Sequence, residues 1–217
     1  MPSRTADFDL PGVTPSRQQR SRETTLALLQ AGAELLRTCS LGELSIEKLC
    51  AKVGATVGAF YSRFESKEAY FNALMALAAR DGEFRLSELP ADAALNDADL
   101  ATRCRFLVSG VIAWIRGHEG VLRAALRHDD TRPDKWTTFK QLARATTERA
   151  TPLLLPAMGK GRKAAKTHTI AFGFQVVLGT LVNAILNDPG PLSLHDKEME
   201  VRLGNCLLLL LEAEMDL

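Results

Sequence analysis

Residues 45–67 read SIEKLCAKVGATVGAFYSRFESK, and the turn in the middle of this stretch decides the fold. Ser45 is an N-cap residue with Lys48 three positions on, so the cap stands without a full capping box. Ile46, Leu49, Cys50 and Val53 recur at helical spacing and give a short helix one apolar stripe. Gly54 follows directly, where a helix can stop in a left-handed turn without a Cβ penalty. Thr56 offers a fresh N-cap, and a second short helix is predicted through Phe64. Phe60 and Phe64, one turn apart, can anchor one face in a core. The other face carries Thr56, Val57, Gly58, Ala59, Tyr61, Ser62 and Arg63. Two short helices joined by a tight glycine turn form the helix-turn-helix unit of DNA binders. Small residues let the start of a helix approach base edges, and hydroxyl and guanidinium groups suit phosphate oxygens. The plainer reading of the same stretch is a loop and a short amphipathic helix in some all-α core.

The run from Val53 to Glu68 resembles the TetR family of transcriptional regulators. The shared elements are Gly54, Ala55, Thr56, Gly58, Phe60, Tyr61, Phe64, Lys67 and Glu68, and the likeness extends back to Leu28 and forward to about Leu74. The chain departs from the family pattern at a few places. Arg63 stands where the family usually has His or Tyr, Ser45 where it has Thr, and Ser40 where glycine is common. Gly32 replaces a common alanine inside the first helix, at a cost of about 1 kcal/mol in helix propensity. None of these changes removes a group able to contact DNA.

The resemblance implies an all-α fold of about nine helices: an N-terminal three-helix DNA-binding domain followed by a helical regulatory and dimerisation domain. The expected division is a flexible arm at residues 1–15, the DNA-binding domain at 16–80 with its motif at 45–64, and the regulatory domain at 81–217. Within that frame Thr56, Val57, Gly58, Ala59 and Tyr61 are expected to read bases. Ser45, Ser62, Arg63 and Lys67 are expected to grip phosphates. Lys67 opens a predicted helix, where its charge opposes the dipole, and a phosphate partner would explain its place. Arg17 and Arg20, in a small basic cluster with Arg22, are either a solvated helix start or contacts to phosphates and the minor groove.

Composition fits this reading. The chain has 217 residues, 46% hydrophobic and 24% charged, as in an ordinary globular protein. A formal net charge of only +1 means that any nucleic-acid surface must be local. Cys39, Cys50, Cys104 and Cys206 are scattered, without a CxxC pair, which suits reduced thiols and a cytoplasmic protein. No basic n-region followed by an apolar core opens the chain. The apolar run 170–186 is broken by Gln175, Thr180 and Asn183 and reads as a core helix rather than a membrane span.

Outside the motif, periodicity predicts a first helix at about 20–38 and a strut helix from Ser66 to about Leu89, ended by Pro90. Further helices are predicted at 97–116, 121–128 and 135–155, with Gly117 and Gly120 marking a break. The last two, 166–187 and 194–215, are apolar nearly all round and must be buried on more than one side. They are a candidate four-helix homodimer interface, the pairing the resembled family uses.

No catalytic constellation is legible: G-x-S-x-G, H-E-x-x-H, Walker and Rossmann patterns are all missing, and the histidines are dispersed. Neither a catalytic set, a metal site nor a cofactor is expected. The resemblance implies a ligand pocket bordered by Trp114, His118, Trp136, Phe139, Phe172 and Gln175, an aromatic wall suited to an apolar or aromatic small molecule. Any one of these side chains taken alone reads as core filling. The expected function is a dimeric repressor on a pseudo-palindromic duplex operator, released by an unidentified small-molecule effector. The alternatives are a ligand-responsive activator and a helical adaptor without operator binding.

Overall fold

The computed structural model describes residues 10, 11, 13, 19–89, 95, 97–127 and 137–213. Eight α-helices run through them: α1 (Gln19–Leu35), α2 (Ile46–Val53), α3 (Val57–Tyr61), α4 (Lys67–Ser87), α5 (Leu100–Arg127), α6 (Thr137–Leu154), α7 (Lys163–Asn187) and α8 (Lys197–Ala213). Arg17 and Trp136 lie outside the described residues.

The helix count is one fewer than expected because 97–116 and 121–128 are a single helix, α5. Gly117 and Gly120 do not break it. Interior glycine costs a helix only about 1 kcal/mol, and Gly120 has a reason to be there: a Cβ on it would stand 2.5 Å from the backbone of Leu36. Asp99 caps the start, its Oδ1 accepting the Thr102 N–H at 2.8 Å.

The chain forms two compact units, Met1–Arg80 with His118–Asp130, and Asp81–Gly117 with Thr131–Leu217. In the first, α1 packs on α2 and α2 on α3 around Leu28, Leu29, Leu49, Phe60, Phe64, Tyr70 and Phe71, all essentially without exposed surface. The arm is anchored where it is described. Leu10 is buried, and Val13 forms an isolated antiparallel bridge with Phe64, so these two positions do not behave as a free arm.

The glycine at position 32 also has a structural cause. The Tyr70 ring is fully buried, its hydroxyl donates to Leu28 O at 2.7 Å, and a Cβ on Gly32 would lie 1.7 Å from that oxygen. Gly32→Ala should therefore destabilise the protein by about 1–2 kcal/mol, overlap outweighing the gain in helix propensity. In a Tyr70→Phe background the same change should cost measurably less, since the closest clashing atom is gone. Urea denaturation of the four proteins checks this; a higher midpoint for Gly32→Ala alone would contradict it.

In the second unit α7 packs against both α6 and α8. Gly173 lets the two last helices close, a Cβ there falling 2.4 Å from Leu207 Cδ1. Two buried cations serve carbonyls here, one in the last turn of α6, where the helix dipole is negative, and one in the segment after it. Arg103 donates to Leu153 O at 2.6 Å, and Lys166 donates to Met158 O at 3.1 Å and to Gly159 O. Arg116 on α5 donates to Leu194 O at 2.8 Å, to Asp196 O at 3.0 Å and to Glu200, and so fixes the start of α8.

Candidate nucleic-acid interface

The caps read from sequence form. Ser45 Oγ accepts the Lys48 N–H at 3.2 Å and donates to Glu47 Oε2 at 2.7 Å. That hydroxyl holds the Glu47 carboxyl below the usual range. Gly54 takes φ 67°, and the Ala55 N–H reaches back to Cys50 O at 2.9 Å. Thr56 Oγ1 then accepts the Ala59 N–H at 3.0 Å and starts α3.

Helix α3 is shorter than predicted, ending at Tyr61 rather than Phe64. Its end is closed by side chains: Ser62 Oγ and Arg63 Nη1 both donate to Ala59 O, at 3.0 and 2.6 Å. The helix is held from behind by an aromatic cluster. Ring centroids lie 5.0 Å apart for Phe60–Phe64, 5.2 Å for Phe60–Tyr70 and 4.9 Å for Phe64–Tyr70. Everything else on α3 faces out. Tyr61 is 53% exposed and Val57 37%, Thr56, Gly58 and Ser62 are exposed, and Ala59 is half-buried.

The cations expected to grip phosphates have protein partners here. Besides Ala59, the Arg63 guanidinium donates to Ser62 Oγ at 3.3 Å, Ser21 Oγ at 3.2 Å and Ser21 O at 3.5 Å, tying the end of α3 to the first turn of α1. Lys67 donates to Gly42 O at 3.0 Å, which joins the start of α4 to the loop before α2. Arg20 is exposed on the first turn of α1. Sequence reading missed Ser21 and Gly42 as partners, because pairs separated by 42 and 25 positions leave no periodic trace. Lys52 on α2 pairs with Glu34 on α1 at 3.3 Å, but both are so exposed that the pair contributes little.

Of the six residues expected at a ligand pocket, five are described, four of them in the second unit. Trp114 and Phe139 pack with ring centroids 6.3 Å apart. His118 is half-buried and belongs to the first unit. Phe172 and Gln175 are exposed within the protomer. Helical periodicity explains it: the inward face of α7 is Ile170, Gly173, Phe174, Val177 and Leu181, and Phe172 and Gln175 fall off that stripe. Among the described residues no group of His, Cys, Asp and Glu forms a metal cage. Burial pushes the Cys104 thiol up to about 12 and that of Cys50 up as well.

Residues 28–74 match the sequence profile of bacterial regulatory proteins of the tetR family, a span that holds the capped helix pair and the adjoining parts of α1 and α4. No curated protein matches the chain in sequence. Among solved structures it resembles a tetR-family transcriptional regulator from Streptomyces coelicolor, with a TM-score of 0.65 at 16% identity, over 90% of this chain and 83% of the other. A transcriptional regulator from Cytophaga hutchinsonii aligns with a TM-score of 0.61 at 15% identity, over 89% of this chain and 97% of its own. A TetR transcriptional regulator from a Rhodococcus species aligns at 0.50 and 13% identity, over 88% and 96%. Residues 28–74 of the first unit thus match the tetR-family regulatory-protein model, and the chain shares the all-α fold of the solved regulators it resembles.

Proposed function

We propose that the chain is a dimeric, sequence-specific repressor that leaves its operator when a small molecule binds its C-terminal part. The observation that carries the DNA half is the outward face of α3. A helix capped by Thr56 and anchored by two buried phenylalanines turns Val57, Gly58, Tyr61 and Ser62 to solvent. Small groups at its start admit base edges, and the hydroxyls further on suit bases or phosphates. Thr56 through Ala59 and Tyr61 read bases, while Ser45, Ser62, Arg63, Lys67, Arg20 and Arg17 supply the phosphate side.

The homodimer reading is supported by α7 and α8. Helix α7 is long and strongly apolar, with a mean hydropathy of 1.8 over its most apolar stretch, yet only 39% of that stretch is buried within the protomer. Phe172, Val201 and Leu209 are 48, 49 and 65% exposed on these two helices. A second protomer laid on that surface covers it and places two α3 helices about one DNA turn apart, roughly 34–36 Å, so the operator is a pseudo-palindrome. An effector that changes this spacing opposes DNA binding, and DNA opposes the effector equally. The protein acts in the cytoplasm, where its operator is.

Selection of bound fragments from random duplex DNA tests this. A two-fold symmetric consensus is expected; enrichment of no sequence at all would leave the adaptor reading in its place. Arg63→Ala should weaken binding to every duplex by about tenfold and lower the slope of log affinity against log salt by about one. An unchanged slope would confine Arg63 to holding α3 through Ala59, Ser62 and Ser21.

A further inference from the structure

The first unit contains a cleft of about 300 Å³ that plays no part in the function argued above. One wall is the stretch from Leu36 to Glu43 linking α1 to α2, and the other is the last turns of α5, through Arg123, Ala124 and Arg127. The floor is apolar: Leu36, Leu41 and Ala124 are each less than a tenth exposed. The rim is cationic. Arg37, Arg123 and Arg127 line it, and among the described residues the lining carboxylate is Glu43, which accepts from Ser40 through its N–H and its hydroxyl, both at 2.8 Å.

The walls are already linked. Arg123 donates to Arg37 O at 3.2 Å and pairs with Glu119, so its guanidinium is fixed in orientation at the cleft edge. Gly120 lets α5 touch the backbone of Leu36 and Arg37. A small apolar floor under several guanidinium groups selects ligands with a matching division, an apolar body and one anionic head. Bare inorganic anions satisfy only the rim, and neutral apolar molecules only the floor.

We propose that this cleft is a binding site for a small amphiphilic carboxylate, such as an aromatic or short-chain aliphatic acid. The wall it would grip continues through Gly42, whose carbonyl takes Lys67, to the Ser45 cap of α2. An occupant therefore stiffens the loop that enters the helix-turn-helix and changes affinity for DNA. Only this last consequence rests on the function proposed above; binding itself does not.

Cys39 supplies a local reporter, since it is half-buried and lines the cleft, while Cys206 is half-buried in the other unit. The full-length protein is treated with iodoacetamide in the presence of benzoate, hexanoate or inorganic phosphate, and modification is followed peptide by peptide. Benzoate or hexanoate should slow labelling of Cys39 saturably and leave Cys206 unchanged. The double substitution Arg37→Gln, Arg127→Gln should raise the concentration needed by at least about tenfold, the equivalent of one charge-assisted hydrogen bond. No saturable protection by either acid overturns the proposal, as does protection that survives loss of the arginines. Equal protection by phosphate alone would overturn the ligand class, and protection by duplex DNA alone would make the cleft part of the DNA surface instead.

Discussion

Gly120→Ala should destabilise the first unit by about 3 kcal/mol, the upper part of the range for overpacking. The added Cβ would stand 2.5 Å from Leu36 C, 2.6 Å from Arg37 N and 2.6 Å from Leu36 O. At Gly32 the obstacle is a side-chain tip, which can yield; at Gly120 it is backbone, held by bonds from Leu36 N–H to Gly32 O at 2.9 Å and from Arg37 N–H to Glu34 O at 3.1 Å. Relief needs α5 to move off the end of α1. Gly117→Ala is the matched control. Nothing lies within 4 Å of a Cβ there, and the position is exposed in the same helix. It should stabilise by about 0.5–1 kcal/mol, the ordinary helix preference for alanine. Thermal and urea denaturation of both variants read out the opposite signs. Equal shifts in one direction would mean that Gly120 does not touch the loop.

These two glycines show what could be read from the chain and what could not. Both look alike in sequence, as breakers inside a helical pattern. One is a minor cost in an open helix and the other is a contact to a segment more than 80 positions earlier, a distance that local periodicity cannot encode. The helix-turn-helix was legible for the opposite reason. Its signals, Ser45, Gly54, Thr56, Phe60 and Phe64, act within one or two turns of themselves. The orientation of α3 was legible too, because two phenylalanines on one stripe leave Tyr61 and Ser62 no inward direction. The exposure of Phe172 and Gln175 follows from the face of α7 they occupy. The 3.6-residue period already separates Phe172 from Phe174. The bridge of Val13 to Phe64 had no local signal, since its partner lies far along the chain.

Converting the outer face of the last two helices to acid should weaken operator binding by orders of magnitude without unfolding the chain. In the pair Phe172→Glu, Leu209→Glu, two large apolar side chains, 48 and 65% exposed, become charges. Exposed positions tolerate such changes within about 0.5 kcal/mol, so the helix content should be kept. Against a second protomer the same charges would have to be desolvated, unpaired, at a cost of several kcal/mol that no rearrangement of neighbouring leucines offsets. The inward residues Phe174, Leu181, Leu207 and Leu211, each fully buried within the protomer, are untouched. Sedimentation should therefore show a monomer with native circular dichroism. On a two-half-site operator, loss of the second recognition helix turns an intramolecular step into a separate encounter. Affinity then falls by about 10²–10⁴-fold, while binding to an isolated half-site changes little. A variant that stays dimeric and binds normally would place the dimer interface elsewhere. One that becomes monomeric yet still binds the full operator tightly would show that each α3 works alone, with no requirement for two half-sites one DNA turn apart.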